Sequence, residues 1–509
     1  MGELIPQPLS DKNVTIPLDT YGGRVHVEWD PQAEVTPLGQ LSFFVDFLKT
    51  ADLFRPWVEE CPLKFASPNA PTPTDVLGTI LLSVLSGHTR YSHISSIRLD
   101  SINPPLLGMK KVVSEDSVRR AFQKVDEQDG QTWLHSHLRH CFEALLYEPW
   151  ILDVDGTVKP LFGKQEGAVI GYNPHKPGRP SHVYQTYGIA NLRLILDVEV
   201  QPGNQTAATF AQSRLWSILD SLPKNTWPQF IRGDCSWGNE TIIQEAENRG
   251  VSYLFKLKQS KNVKRLVEEV FSREDWVVAG QGWEGVNAEL QLMGWTHARR
   301  VVVLRRKVSK ETVVVNQKKD KKQVSQMEFA FMEVGTPVVQ YEFAVLVTSL
   351  DDEIMTLAQH YRDRGDAENV FDELKNQWGW SGYVTQDLKR CQIMARIIAL
   401  IYNWWSLFVR LAIPEKHAEA ITSRPLLLQG VAKQTHHSGQ TTITITGQHS
   451  QTQMIQKILS SLAAFLSCLK QNAEQLGRQE CWRLILSRAL QKFLRGRLLA
   501  QPIMLPETS

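Results

Sequence analysis

Cysteine is scarce in this sequence, and none of it is arranged for metal binding or for a disulfide framework. The 509 residues include six cysteines, at positions 61, 141, 235, 391, 468 and 481, with no Cys-x2-Cys pair and no cysteine–histidine cluster at zinc spacing. Scattered cysteines of this kind are typical of reducing compartments, where disulfides do not persist. The sequence therefore argues against a zinc site and predicts a cytoplasmic protein.

Strong charge of either sign is also missing, and so is a membrane segment. Fifty-six Lys and Arg against 54 Asp and Glu leave a net charge of +2, so a polyanionic partner has to be held by local basic patches. Residues 1–35 are Pro-rich and polar, without the basic start and apolar core of a signal peptide. The apolar stretch 393–413 is interrupted by Arg396, Asn403 and Arg410, which predicts a buried helix and no membrane span.

The first part of the chain has helical patterns. Residues 38–53, 75–86 and 131–146 read as helices, and Ser114 is a predicted N-cap for a short helix that follows Lys110 and Lys111. Short helices, one of them preceded by a basic turn, are compatible with a helix-turn-helix DNA-binding motif. An all-helical packing domain is the slightly favoured interpretation, because spacing identifies no base-reading residue.

The middle of the chain alternates strands and helices. Residues 150–154 predict a strand that ends in Asp155-Gly156-Thr157, and residues 182–190 and 192–200 predict a hairpin. The pattern continues with a helix at 206–222, a strand at 228–233 ending at Asp234, a helix at 240–249 and a strand at 252–258. Together these elements predict a mixed α/β sheet. Residues 276–347 are rich in Val, Trp and Thr, contain the basic run 299–322, and predict a β-rich insertion. Residues 434–453 read as a loop, and residues 454–499 as helix.

Residues 361–375, YRDRGDAENVFDELK, predict a helix with an unusual polar stripe. At about 100° per residue, Tyr361, Arg364, Glu368 and Lys375 fall on one narrow face, and Asp372 lies close to it. Three other acidic residues of the segment point elsewhere: Asp363, Asp366 and Glu373. A solvated charged helix with Arg364–Glu368 and Asp372–Lys375 ion pairs is the plainer alternative.

Three carboxylates are candidates for chemistry: Asp155 and Asp234 at predicted strand ends, and Glu368 on the helix. Carboxylates that converge at strand ends either hold hard divalent cations or work as a general acid and base. Asp153 competes with Asp155, because alternation puts both on the same side of the strand. Turn formation by Asp155 and helix-dipole stabilisation by Asp234 are the structural alternatives.

The spacing on the helix points to a family. Tyr361, Arg364, Glu368 and Lys375 match Tyr-x2-Arg-x3-Glu-x6-Lys at all four positions, and on these residues the chain resembles DDE-type transposases of bacterial insertion sequences. The Asp-Gly-Thr at Asp155 looks like the first-acid motif of that family. Asp234, after a hydrophobic strand, looks like the second acid, and the Gly/Pro/basic loop 171–182 resembles a segment found in one branch. The resemblance covers about residues 150–403.

The resemblance implies an RNase H-like catalytic core with a β-rich insertion before the Glu, flanked by helical parts. Asp155, Asp234 and Glu368 would ligate two Mg²⁺, with Mn²⁺ able to substitute. Water and then a DNA 3′-hydroxyl would attack phosphodiesters at the element ends and at the target. Tyr361 and the cations Arg364 and Lys375 would contact the DNA backbone near the cut, a role that suits an Arg fork and a Lys point charge.

Further basic and aromatic residues could line a DNA path. Lys176 and Arg179 in the Gly/Pro loop and Lys256 and Lys258 on the later strand suit phosphate, although a charge run is usually only a solvated face. Related transposases stack an aromatic of the insertion on a flipped base, a part for which Trp283 and Trp295 are candidates. A core role is the default for both tryptophans.

These predictions combine into a mixed α/β protein of six segments. They are an extended start (1–35), a helical region with a DNA-binding role as one option (36–148), the two parts of the RNase H-like core (149–275 and 348–412), the β-rich insertion (276–347) and a helical, dimerisation-competent end (413–509). The predicted function is a metal-dependent DNA transposase that acts on inverted repeats and target DNA as a homodimer near the bacterial nucleoid, away from membranes. The alternatives are a nuclease without strand transfer, an inert transposase-derived regulator and, remotely, a two-carboxylate glycosidase.

Overall fold

A ten-stranded mixed sheet organises the structure, a computed structural model that describes residues 15–499 except 66, 68, 174–175, 207–209, 309–339, 415–416 and 448. The strands are β1 Ile16–Thr20, β2 Gly23–Val27, β3 Val35–Thr36, β4 Ile151–Pro160, β5 Val169–Ile170, β6 Pro180–Ile189, β7 Leu194–Pro202, β8 Phe230–Gly233, β9 Ser252–Lys256, β10 Val277–Gly280, β11 Trp283–Leu290, β12 Arg299–Lys307, β13 Tyr341–Thr348, β14 Ala432–His437 and β15 Gln440–Ile445. The mixed α/β class expected from the sequence is confirmed.

Helices surround this sheet. They are α1 Leu41–Thr50, α2 Phe54–Glu59, α3 Pro73–Leu85, α4 Asn103–Leu106, α5 Glu115–Gln123, α6 Glu127–Phe142, α7 Gln212–Asp220, α8 Glu240–Arg249, α9 Lys261–Phe271, α10 Ile354–Arg362, α11 Gly365–Asn376, α12 Leu388–Ala412, α13 Ala420–Leu427, α14 Thr452–Gln471 and α15 Ala473–Ala489. Caps fix several starts: the Ser114 hydroxyl accepts from Ser117 N at 3.3 Å, as predicted, and Asn239 caps α8.

Strand order in the central part is β7-β6-β4-β8-β9. The pairs β7–β6 and β6–β4 are antiparallel, and β4–β8 and β8–β9 are parallel. Buried β8 and the apolar middle of β9 are covered on both faces, which suits parallel strands. The predicted hairpin is the β6–β7 pair.

The β-rich segment continues the same sheet. Strand β13 pairs antiparallel with β9, and β12, β11 and β10 follow it in order. The predicted β character of residues 276–347 is confirmed for the described part. The basic run 299–322 lies partly outside the described residues, from residue 309 onward.

Three local predictions are corrected. Strand β4 does not end at Asp155: it continues to Pro160, because residues 156–160 pair with 181–185 of β6. Residues 361–375 are not one helix but the end of α10 and the whole of α11 up to Lys375, joined by tight i→i+3 bonds such as Arg364 N to Tyr361 O at 3.2 Å beside the weak helix former Gly365. Residues 434–453 contain the hairpin β14–β15, turned at Ser438-Gly439 with positive φ at both residues.

Helix α12 is the central helix of the fold. Of the described helices it alone is long and apolar enough to cross a membrane, and it is buried inside the protein. It packs on β7 and on α6, whose inward face includes Trp133, Leu134 and Leu138. Helix α6 is therefore a core helix, and the DNA-binding option for the helical region stays a prediction.

Asn403 joins α12 to the edge of the sheet. Its fully buried amide accepts from Ile195 N at 2.9 Å and donates to Ile195 O at 2.8 Å, next to a register shift in the β6–β7 pair. The side chain thus satisfies two backbone groups that the edge of β7 would leave without partners.

We expect Asn403→Leu to lower the free energy of unfolding by roughly 2–5 kcal/mol, since two buried backbone groups lose their partners. Urea denaturation followed by circular dichroism measures it. The exposed-site control Asn376→Leu should change stability by no more than about 0.5 kcal/mol. Equal midpoints for the two variants would contradict this role of the Asn403 amide.

Candidate active site

The parallel register brings two acidic side chains and one cation into a row. Asp153 pairs with Arg232 and Val154 with Gly233 across β4 and β8, and Gly233 pairs with Phe255 across β8 and β9. The next residue on each segment is Asp155, Asp234 or Lys256, so these three lie side by side at the carboxyl edge of the parallel strands. A cleft at this edge is the usual ligand site of such sheets.

Arg364 connects this row to the helical segment. It lies at the start of α11 and is only 8% exposed. Its Nη2 is 2.9 Å from Asp155 Oδ2, and its Nη1 is 2.6 Å from Glu368 Oε1. One guanidinium therefore spans two of the three predicted acids, Asp155 being mostly covered and Glu368 largely exposed.

The electrostatics bring the third acid into the same cluster. Burial raises the pKa of Asp155 to about 7; Arg364 opposes the rise, while Asp234 and Glu368 add to it. Burial alone would lower the pKa of Arg364, but Asp155, Tyr361 and the other two acids outweigh it, so the guanidinium pKa is raised. Burial also raises the pKa of the Tyr361 hydroxyl. Three acids, one arginine and one tyrosine thus share one electrostatic site.

Asp234 is held by its own turn. Its Oδ1 accepts hydrogen bonds from Ser236 N at 2.9 Å and Ser236 Oγ at 2.5 Å, directly after β8. Its other carboxylate oxygen has no hydrogen-bond partner among the described residues. That oxygen is available to a ligand at the edge of the sheet.

Asp153 has a different environment from Asp155. Both of its oxygens accept from Arg232, from Nε at 2.6 Å and from Nη2 at 2.7 Å, and both side chains are buried. Arg232 Nη1 also donates to the carbonyl oxygen of His360 on α10. With its carboxylate fully engaged, Asp153 is a structural residue, and the geometry favours Asp155 as the ligand.

Other acids near Glu368 have structural partners. Buried Glu373 accepts from Trp378 Nε1 at 3.0 Å and from Ala420 N at 2.9 Å. The remaining pairs are Asp366 with Arg193, Asp372 with Asn376, and Asp363 with Gln359. Since Asp372 accepts from Asn376 and does not contact Arg364, Glu368 is the acid of α11 that joins the cluster.

The donor set has the chemistry of a hard-cation site. Carboxylate oxygens are the ligands that Mg²⁺ and Mn²⁺ prefer. No three His, Cys, Asp or Glu side chains in the described part of the chain are already grouped around one cation position. At this cluster the carboxylates of Asp155 and Glu368 are paired with Arg364, which occupies the place of a cation between them. The residues fit a divalent cation once that guanidinium is drawn to another anion.

Some of the predicted DNA-contact residues lie beside this cluster and others do not. Lys256 and Lys258 are close enough to Cys235, the neighbour of Asp234, to oppose the rise that burial and Asp234 cause in its thiol pKa. Lys375 lies at the end of α11 and is half-buried. Lys176 and Arg179 lie in the loop beyond β4, where both face the ring of Phe162.

Trp295 is not brought to a surface. It is 8% exposed, and the Arg299 guanidinium lies 4.9 Å from its ring centroid. Arg299 is in turn held by Glu240 and Glu247. The core role that the sequence left as the default describes Trp295 in this structure, while Trp283 keeps partial exposure next to Arg306.

Arg232 is the residue that sequence reasoning missed. Its signal was its place two residues before Asp234, opposite Asp153 in the register. We expect Arg232→Met to lower the free energy of unfolding by about 3–5 kcal/mol, because Asp153 would remain buried without its partner. Chemical denaturation measures the loss, and Arg232→Met combined with Asp153→Leu should recover most of it.

The control for this prediction is the exposed pair Arg24–Asp19, which is 2.9 Å apart. Arg24→Met should change stability by less than about 1 kcal/mol. A double variant no more stable than Arg232→Met alone would contradict the assignment of the loss to the uncompensated Asp153 charge.

Comparisons with known proteins give independent information about the family of this chain. A family model described as "Transposase DDE domain group 1" matches residues 72–466. No curated protein matches the chain. Among solved structures, a piggyBac transposase synaptic complex with hairpin DNA, determined by cryo-electron microscopy, is 11% identical with a TM-score of 0.38 and covers 94% of this chain and 89% of that one. That likeness is too distant to support an argument about site or mechanism.

Proposed function

The chain belongs to the transposase DDE domain group 1 family, whose model matches residues 72–466, and we propose that it cuts DNA at element ends and joins them to a target. The observation that carries this proposal is the cluster of Asp155, Asp234 and Glu368 around Arg364 at the carboxyl edge of the sheet. Its members match the acid and Tyr-Arg-Glu-Lys motifs of the sequence.

The strand order supports an RNase H-like core. The five strands β7-β6-β4-β8-β9 have an antiparallel half and a parallel half that meet at β4. Asp155 lies on that middle strand and Asp234 directly follows its parallel neighbour. In this proposal strands β10–β13 extend the same sheet between the second acid and the helix that carries the third.

The acids would hold the metal ions. Asp155, Asp234 and Glu368 would ligate two Mg²⁺, which supply an activated attacking oxygen and stabilise the leaving one. The chain's own part is to fix these carboxylates: the Ser236 turn orients Asp234, and the mostly covered site of Asp155 limits its movement.

Cationic side chains would hold the DNA backbone. Arg364 would exchange its carboxylate partners for a phosphate, which a guanidinium binds in the same forked geometry. Tyr361 and Lys375 would contact the same strand, and Lys256 and Lys258 would hold phosphates beside Asp234. The protein would act as a homodimer, since two element ends have to be processed together.

Loss of one acid should stop both chemical steps without stopping binding. We expect Asp155→Asn, Asp234→Asn and Glu368→Gln each to reduce Mg²⁺-dependent cleavage of an end-containing DNA by at least about 10²-fold, the cost of removing one electrostatic stabiliser of a transition state. Gel assays of cleavage and duplex binding measure the two properties separately. The control Asp372→Asn, on the same helix but outside the cluster, should cleave normally.

A nuclease without strand transfer is the rival function. With pre-cut ends that carry a free 3′-hydroxyl, a transposase joins the ends to target DNA in Mg²⁺, and chelation of the metal abolishes joining. Hydrolysis without joined product would reject the strand-transfer part of the proposal. Cleavage unaffected by all three acid substitutions would reject the site itself.

We expect Lys256 and Lys258 to contact only the phosphates of the DNA backbone and no bases. Replacing either by Gln should weaken duplex binding for every sequence tested and reduce the slope of log affinity against log salt by about 1. Fluorescence anisotropy over a salt series measures this slope. Lys457→Gln on α14 is the control, and a slope unchanged in both site variants would contradict a phosphate contact.

A further inference from the structure

The loop 161–179 between β4 and β6 includes the short strand β5, and its described residues expose an unusual set of side chains. Phe162 is 72% exposed, Ile170 63% and Tyr172 81%. Lys176 and Arg179 share the same exposed loop. We call these five residues the loop patch. Large apolar side chains concentrated in one exposed loop are typical of a binding surface.

The charge of the loop patch has one sign. Lys176 Nζ lies 5.1 Å and Arg179 Cζ 4.7 Å from the centroid of the Phe162 ring. Neither cation has an ion-pair partner among the described residues. The only carboxylate in the loop sequence, Glu166, accepts from Leu388 N at 2.9 Å. The patch therefore offers aromatic faces together with uncompensated positive charge.

The position of the patch relates it to the acids. Residues 156–160 of β4 continue past the Asp155–Asp234 row and pair with β6, which also pairs with β7 on its other side. Five strand residues span roughly 17 Å. That distance corresponds to about five nucleotides at 3.4 Å each along a duplex strand.

We propose that the loop patch binds an unpaired stretch of DNA about five nucleotides from the reacting phosphate. Bases stack on Phe162 and Tyr172, and Lys176 and Arg179 hold the adjoining phosphates, the combination by which proteins bind single strands. The same patch of a second copy fits less well, because every charge on the patch has the same sign. The inference rests on the proposed function, in which cut ends must be held near the acids.

The test compares two DNA probes on the full-length chain. One is a blunt duplex and the other is the same duplex with a six-nucleotide single-stranded extension that carries 2-aminopurine. Wild type should bind the extended probe more tightly and change the 2-aminopurine fluorescence. Phe162→Ala and Tyr172→Ala should each weaken binding of the extended probe by roughly five- to a hundred-fold, the value of one base–aromatic stack, and leave blunt-duplex binding unchanged.

Two variants keep the test interpretable. Phe162→Trp preserves a stacking surface and should bind the extended probe as wild type does, which keeps base stacking testable even if Phe162→Ala fails to fold. Tyr147→Ala removes a tyrosine that is 63% exposed outside the loop and should behave as wild type.

Other results overturn the inference. Equal loss on both probes, or no loss on either, rejects base stacking at the patch. Altered self-association of Phe162→Ala in sedimentation velocity, with DNA binding intact, assigns the patch to a second copy of the chain instead. A wild-type chain that binds neither probe rejects the proposed function first, so the two failures are distinguishable.

Discussion

A single buried guanidinium ties together β4, β8 and α10, the elements that lead into the candidate active site. Arg232 binds both oxygens of Asp153 on β4 and the carbonyl oxygen of His360 on α10, and it is itself part of β8. Each of the three segments continues within two residues to Asp155, Asp234 or Tyr361. Because a buried ion pair tolerates little displacement without a large cost, this contact fixes the spacing of the cluster.

Arg364 sets the charge balance of the same site. Its positive charge pairs with Asp155 and Glu368 and opposes the rise that burial and the other two acids cause in the pKa of Asp155. Under the proposed function, a DNA phosphate that engages Arg364 would free Asp155 and Glu368 to bind a metal ion. Binding of substrate and binding of metal would then strengthen each other by thermodynamic linkage.

Sequence patterns predicted the helices and strands themselves better than the contacts and turns that join them. The bounds of α8 and the β6–β7 hairpin could be read directly, because apolar periodicity and turn residues act locally. Asp153 and Asp155 could not be separated, since alternation puts both on one side of the strand and only the register with Arg232 distinguishes them. The hairpin β14–β15 was missed although Ser438-Gly439 is a turn signal, because its Thr-rich strands resemble a polar loop.

The most direct test is Mn²⁺ binding by the full-length chain, followed by electron paramagnetic resonance with and without an uncleavable end duplex. The account predicts that DNA strengthens Mn²⁺ binding, that Arg364→Gln strengthens it in the absence of DNA, and that Asp234→Asn abolishes it in both conditions. Mn²⁺ binding that is indifferent to DNA, to Arg364 and to the three acids would contradict the assignment of this cluster as the catalytic cation site.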